Sequence, residues 1–541
     1  MAKALMYHEK TQALLKSEID IIKKPQDMEP ETKVAATCRH DEPITNEDPL
    51  SLSPASRLFH SPQFNCYIVI VMGFQTGINP DVVKAGLKET LYHHPRFSSK
   101  LENKDSKGGK KRWIRVSVNE EDHVFVPNLD SNTDHPDQFV EDYISNLTTA
   151  PLDLSKPLWE VHLLNVKTSY AEAVAVFRLH HSMGDGASLM SLLLACTRKT
   201  SDPDALPTVP TKTRADSSSN SSWFWWFILA IWSGITLIWN TLVDMMLFIA
   251  TLVFLQDTKT PIKGAPGVEL TAKRFVHRTV SLDHIKQVKN AMGMTINDVV
   301  FGVTQAGLSQ YLIRRYGQNE KDEGSKQKRS NLPKNIRLRA NVLSNLRPTV
   351  GIQALADMMA RKSKARWGNR FGYILIPFTI ALQDGPLDYV LQAKAVIDRK
   401  KHSLEAFCTY LIANVLIKII GAKERTLESF LRMSMFSHAG CWSYSAQSYF
   451  SFHTIILKLG WSLEEISFYG HPITFMAPYV YGHPHALHLH FQSYVDKMTI
   501  CLTIDPDVIP DPNKLLDDLE ESLKLICDAV LDRGLTKEEV V

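Results

Sequence analysis

The sequence predicts an α/β protein made of two halves, and three observations carry that reading. Short apolar, β-prone segments alternate with amphipathic helical patterns on both sides of the chain's middle, as layered α/β folds require. A Pro/Ser-rich stretch, Thr200 to Ser222, followed by a strongly apolar segment separates the two halves. Within the first half, one strand–turn–helix unit carries His180-His181-Ser182-Met183-Gly184-Asp185-Gly186.

Taken in order, residues 1–47 form a polar, charged tail, expected to be disordered and without the apolar core of a secretory signal. Residues 48–199 form the first half. Glu172 to Leu179 (EAVAVFRL) is short and apolar, as a buried strand should be, and Ala187 to Cys196 (ASLMSLLLAC) reads as a helix. The glycines between them permit a sharp turn. Residues 200–222 are the linker. Residues 223–255 are the apolar segment, whose first part, Trp223 to Trp239, carries no charge. As a helix that part spans about 25 Å, short of a bilayer core of about 30 Å, and its tryptophans sit where indoles favour the membrane interface. Extension to Leu255 brings in Asn240 and Asp244. A buried Asp is costly in a centred span, so two half-inserted helices in one leaflet are an alternative arrangement. Residues 269–533 form the second half, ending in a helix over Pro512 to Arg533 whose Leu515, Leu519, Leu523 and Ile526 share a core face.

Composition narrows the function. The chain has 541 residues, 44% hydrophobic and 22% charged, with a net charge of +3, which argues for a globular protein and against nucleic acid as a partner. Its seven cysteines form no C-x-x-C pair, consistent with a reducing compartment.

The chemistry concentrates at the histidine turn. A histidine at the end of a rigid strand can exchange a proton at neutral pH, so the turn reads as a catalytic base. On a strand, adjacent side chains face opposite ways, so one histidine meets substrate while the other packs. His483, His485, His488 and His490 alternate along a strand, but no carboxylate or cysteine pattern completes a metal site, and no metal is expected. No G-x-S-x-G, H-E-x-x-H or P-loop pattern is present, which weakens hydrolase, zincin and NTPase readings.

Several separate motifs, in order, give the chain a resemblance to the plant wax ester synthase/diacylglycerol acyltransferase family. They are Pro54-Ala55-Ser56-Arg57-Leu58-Phe59, His94-Pro95-Arg96-Phe97, Pro157-Leu158-Trp159, the histidine turn and Asn297-Asp298. Asn345-Leu346-Arg347-Pro348, Trp367-Gly368-Asn369-Arg370, Gly482-His483-Pro484-His485-Ala486-Leu487 and Phe491-Gln492-Ser493-Tyr494 complete the series. The resemblance covers about residues 48–532. It implies a CoA-dependent acyltransferase-like fold, two α/β halves with a tunnel between them, plus the hydrophobic helical insert.

By that resemblance, His181 is the general base that activates an alcohol against an acyl-CoA thioester. His180 is a packing neighbour, Asp185 a structural carboxylate ion-paired to Arg347, and Gly186 gives room for substrate. Pro157, Leu158, Trp159, Asn297 and Asp298 are candidates for the tunnel wall, with packing or helix capping as their alternative role. The implied partners are acyl-CoA as co-substrate, with no cofactor, a fatty alcohol or diacylglycerol, and membrane lipid. The implied location is the endoplasmic reticulum membrane, with the plasma membrane second, the catalytic halves facing the cytosol. An acyltransferase for a soluble alcohol, or a catalytically impaired lipid-binding homologue, are the competing readings. Two departures stand out. Ile455 to Trp461 replaces a Ser-Asn-Val-x-Gly-Pro stretch, and Met1 to Gln26 looks foreign to the family, with Met28 as an alternative start.

Overall fold

In the computed structural model, the apolar segments of the chain separate into two large sheets, each with its own hydrophobic core. The structure describes residues 50–61, 64–102, 111–128, 134–208, 223–255, 257–265, 267–318, 332–333, 335–346, 355–357, 359, 367–420, 454–460 and 464–534. The tail 1–47, the linker beyond Thr208, Trp461 and Arg347 lie outside them.

The first half contributes β1 (Leu50–Ser51), α1 (Pro54–Leu58), β2 (Tyr67–Phe74), α2 (Pro80–Glu89), β3 (Ser99–Glu102), β4 (Arg112–Arg115) and β5 (Val124–Phe125). It continues with α3 (Pro136–Leu147), β6 (Trp159–Leu164), β7 (Ala173–His180), α4 (Gly186–Ala195) and β8 (Thr197–Lys199). Then come α5 (Trp223–Val253), β9 (Arg274–Ser281), α6 (Leu282–Ala291), α7 (Ile296–Gln318), β10 (Arg337–Asn345) and β11 (Phe371–Thr379). The chain closes with α8 (Pro386–Lys401), α9 (Glu405–Ile420), β12 (Thr454–Gly460), β13 (Ile466–Phe468), β14 (His471–Tyr481), β15 (Leu487–Tyr494), β16 (Lys497–Ile504) and α10 (Pro512–Asp532).

The first large sheet has the order β5-β6-β7-β2-β14-β13-β8, the second β11-β10-β12-β15-β16-β9. β2 (YIVIVMGF) and β7 (AVAVFRLH) are buried along their whole length. Both lie in the middle of the sheet, and continuous apolar runs suit strands covered on both faces. The exception in β7 is Arg178, whose guanidinium donates to Tyr481 Oη at 2.8 Å and Glu160 Oε2 at 3.3 Å. β13 and β14 come from far down the second half, yet β14 pairs antiparallel with β2, Tyr481 opposite Tyr67. The first sheet is therefore completed by the second half of the sequence, and the sheets do not follow the linear division of the chain.

In the second half, α7 and α10 cover the second sheet with a stripe that includes Leu308, Leu312, Leu515, Leu519 and Ile526. The altered stretch Ile455 to Gly460 is β12, a strand parallel to both β10 and β15. Its two neighbours both contribute to the cavity described below, so this stretch falls inside the sheet that shapes the site.

The apolar segment forms one continuous helix, α5, which replaces the arrangement of two half-inserted helices. Phe227–Thr251 is long and apolar enough to cross a membrane, with mean hydropathy 1.5 and 11% of its most apolar stretch buried. Asp244 lies on the packed side of α5. It is fully buried against α8, where its Oδ1 meets Arg399 Nη1 at 2.7 Å and Lys400 Nζ at 2.9 Å. Lys400 in turn meets Glu405 at 2.6 Å. Asn240 Nδ2 donates to the His402 carbonyl and Thr241 Oγ1 accepts from Leu404 N. The polar residues that make α5 a poor centred span are the ones that fasten it to the second half.

Candidate active site

The site grows from the end of β7. There the amide of His180 donates to the Leu158 carbonyl at 3.0 Å and the amide of His181 to the Cys66 carbonyl at 2.9 Å. These bonds fix both histidines before the chain turns through a short 3₁₀ segment, His181–Met183, into α4.

The two rings go to different places. His180 Nδ1 accepts from the Ser182 amide at 3.2 Å, and its Nε2 meets Asn65 Oδ1 at 3.0 Å. Its ring stacks on His60 at 4.2 Å. With both nitrogens occupied, His180 has nothing left for a substrate. Burial, followed by the charges of His60 and His181, pushes its pKa well below 6.5. His181 stacks on Phe59 at 4.2 Å and lines a cavity of about 230 Å³. Its Nδ1 is buried with no side-chain partner among the described residues. Burial lowers its pKa to about 4, against opposing contributions from its own backbone carbonyl and from Asp185. The ring is therefore neutral at pH 7, the form in which a base must wait.

Asp185 caps α4: its Oδ1 accepts from the Ser188 amide at 2.9 Å and its Oδ2 from the Arg370 amide at 3.3 Å. Its carboxylate thus ties the turn to the strand entrance of the second half. The expected partner Arg347 falls outside the described residues. Gly186 faces the cavity, where an added Cβ would meet no atom within 4 Å. Gly184 is constrained differently: an added Cβ would lie 2.9 Å from the Trp367 indole, whose Nε1 donates to the Met183 carbonyl at 2.6 Å. Gly184→Ala should push the indole off the turn, lowering kcat about tenfold and stability by about 1–3 kcal/mol, the usual range for overpacking. Unchanged kinetics and melting temperature would refute the close fit.

The second half holds the turn from outside. Asn369 Nδ2 donates to the His181 carbonyl at 2.9 Å and lies 3.1 Å from Ser56 Oγ. Ser56 Oγ donates to the Ser182 carbonyl at 3.1 Å. Ser56, Phe59, Trp367 and Asn369 belong to motifs visible in the sequence, but nothing in the linear pattern indicates that they converge on the base. Their signal is a buried polar or aromatic residue inside an otherwise short motif.

The cavity lies between the two sheets. Ile68, Ile70 and Tyr479 come from β2 and β14, while Leu343, Phe371 and His490 come from β10, β11 and β15. None of the five tunnel candidates lines it. Leu158 and Trp159 are buried packing residues, with Trp159 Nε1 donating to the Phe97 carbonyl at 2.9 Å and its ring stacked on His123; Pro157 precedes them in the same buried approach to β6. Asp298 belongs to a helix-start box, its Oδ2 accepting from the Thr295 amide at 2.7 Å, and it meets Lys401 at 3.4 Å. Asn297 is exposed. Packing accounts for Leu158 and Trp159, and helix capping for Asp298. Among the described residues, no group of three or more His, Cys, Asp or Glu is placed to hold a metal ion.

Residues 80–300 match the wax ester synthase/diacylglycerol acyltransferase catalytic domain, and residues 367–527 match the WS/DGAT C-terminal domain. The chain is 52% identical over 498 residues to wax ester synthase/diacylglycerol acyltransferase 11 of Arabidopsis thaliana, covering 91% of this chain and 97% of that one. It is 51% identical over 519 residues to wax ester synthase/diacylglycerol acyltransferase 5 of the same plant, covering 93% and 98%. Among solved structures, the wax ester synthase/diacylglycerol acyltransferase of Marinobacter aquaeolei VT8 shares the fold with a TM-score of 0.54 at 17% identity, over 89% of this chain and 99% of that one. The first condensation domain of the calcium-dependent antibiotic synthetase shares it with a TM-score of 0.53 at 12% identity, over 91% and 98%. On the strength of these matches along nearly its whole length, the chain belongs to the wax ester synthase/diacylglycerol acyltransferase family.

Proposed function

We propose that the chain moves an acyl group from acyl-CoA to the hydroxyl of a lipid alcohol. A long-chain fatty alcohol, giving wax ester, is the first acceptor, and diacylglycerol, giving triacylglycerol, the second. The observation that carries this reading is a neutral, buried His181 on the wall of an apolar cavity between the two sheets.

His181 Nε2 takes the alcohol proton as the oxygen attacks the thioester carbonyl. The C–O bond forms, the tetrahedral oxyanion collapses, and the C–S bond breaks. His181 returns its proton to the CoA sulfur. A thioester is already activated, so the step needs no covalent acyl-enzyme and no cofactor beyond acyl-CoA as co-substrate. The cavity is smaller than the 300 Å³ or more of a typical drug-sized site, so it holds the reacting ends while the alkyl chains run beyond it. Purified protein given labelled acyl-CoA with hexadecanol or with diacylglycerol should form the corresponding ester. Formation of neither overturns the reading. Turnover confined to a water-soluble alcohol assigns the chain a different acceptor, and acyl-CoA binding without turnover makes it a binding protein.

The same reading places the protein on a membrane, at the endoplasmic reticulum with its catalytic face toward the cytosol. The support for membrane contact is α5, which leaves Trp225, Leu229, Trp232, Ile238 and Trp239 exposed while Asp244 anchors it. Trp232→Glu with Ile238→Glu should lower flotation with phosphatidylcholine vesicles several-fold and leave the melting temperature unchanged. Asp244→Ala should do the reverse, costing about 3–5 kcal/mol of stability by leaving buried cations short of a partner. Equal flotation of wild type and the glutamate variant would remove α5 from the membrane contact.

A further inference from the structure

The cavity wall carries few polar side chains besides His181, and most are committed. Asp185 receives two backbone amides. Tyr479 Oη meets His277 Nδ1 at 3.0 Å, and Asn345 has a partner of its own. His490 is the exception. It sits on β15, in register with Cys501 on β16 and Leu457 on β12, and is 1% exposed. Among the described residues, neither of its ring nitrogens has a hydrogen-bond partner. A buried imidazole with an unmet donor and an unmet acceptor is costly, and at a cavity wall a ligand can relieve that cost. Burial also lowers its pKa to about 4, so one ring nitrogen carries a hydrogen and the other does not at neutral pH.

The placement matters because the reaction has two electrostatic demands. One is a base for the alcohol proton, which His181 meets from the end of β7. The other is a donor for the thioester oxygen when it becomes an oxyanion. The amide of Ser188, at the start of α4 beside the base, already serves Asp185. We propose that His490, from the other sheet, donates its ring N–H to the thioester carbonyl oxygen and stabilises the oxyanion. The hydrogen stays on His490 throughout. The alcohol proton still travels to His181 and then to the CoA sulfur as the C–O bond forms and the C–S bond breaks.

This rests on the acyltransferase reading, and the two fail separately. If wild-type protein forms no ester, the acyltransferase reading falls first. If wild type turns over, His490→Ala should lower kcat about 100-fold or more, the effect of losing one oxyanion donor, with KM for acyl-CoA within about threefold. His490→Gln keeps an N–H donor but is no base, and should recover to within about tenfold of wild type. His490→Leu fills the volume without the donor and should behave as Ala does. Wild-type kcat in the Ala variant, a defect in KM alone, or a Gln variant no better than Leu each overturns the assignment. So does failure of both the Ala and Leu variants to fold, which would make His490 a structural residue.

Discussion

His181→Ala should lower kcat for ester formation by about 10²–10⁴-fold, the contribution expected of a positioned general base. Acyl-CoA binding should survive, because the ring forms only part of the cavity wall and the turn is held by Asp185, Ser56 and Asn369 through other atoms. The pH profile provides a second check on the same residue. Burial holds the His181 pKa at about 4, so kcat/KM should show no inflection near 6.5 and should fall only as pH approaches about 4. An acid limb at 6.5, or wild-type turnover in the alanine variant, would assign the proton transfer to another group. Asn369→Ala should reproduce part of the loss without touching substrate, since it removes the donor to the His181 carbonyl.

Stability should fall steeply as pH drops below about 6.5. His60 and His94 have pKa values near 3, and His181, His277 and His490 near 4, each lowered first by burial. In the unfolded chain these groups take up protons around 6.5. The sign follows from the proton count: between 6.5 and 4 the unfolded state binds more protons, so stability is fully present above 6.5 and is lost as pH falls toward 4. One group contributes at most about 1.4 kcal/mol per pH unit, so five together give a slope on the order of several kcal/mol per unit. Glu141, Glu405 and Asp518, whose carboxyls burial pushes up, offset part of it. Melting temperatures measured from pH 8 to pH 5 should decline progressively below 6.5. A flat profile across that range would mean the buried rings titrate in the native state as they do in the unfolded chain.

Local order was legible because it is carried by short-range chemistry. The strand expected over Glu172 to Leu179 is Ala173–His180, the helix expected over Ala187 to Cys196 is Gly186–Ala195, and the last helix runs Pro512–Asp532. Apolar runs and a capping aspartate fix such elements within a residue or two. The partners of Asp185 were less legible. A carboxylate in a turn suggests an ion pair, and the expected partner Arg347 lies outside the described residues; the two backbone amides that Asp185 also accepts leave no mark in the side-chain sequence. Asp244 shows the same limit: an acid in an apolar helix looks like a defect until Arg399 and Lys400 are brought beside it.

The sequence alone determined the family, the strand–turn–helix that carries the histidines, and the apolar helix between the halves. Each of these depends on residues close together in the chain. Tertiary structure decided which histidine faces the cavity, that β13 and β14 cross over to complete the first sheet, and that Asn369 and Trp367 clamp the turn. It also decided that His490 stands on the wall of His181's cavity. Such contacts join residues far apart in the chain, Ser56 with Asn369 and Tyr67 with Tyr481 among them. Long-range pairing follows from how whole sheets pack, and no local pattern of residues encodes it.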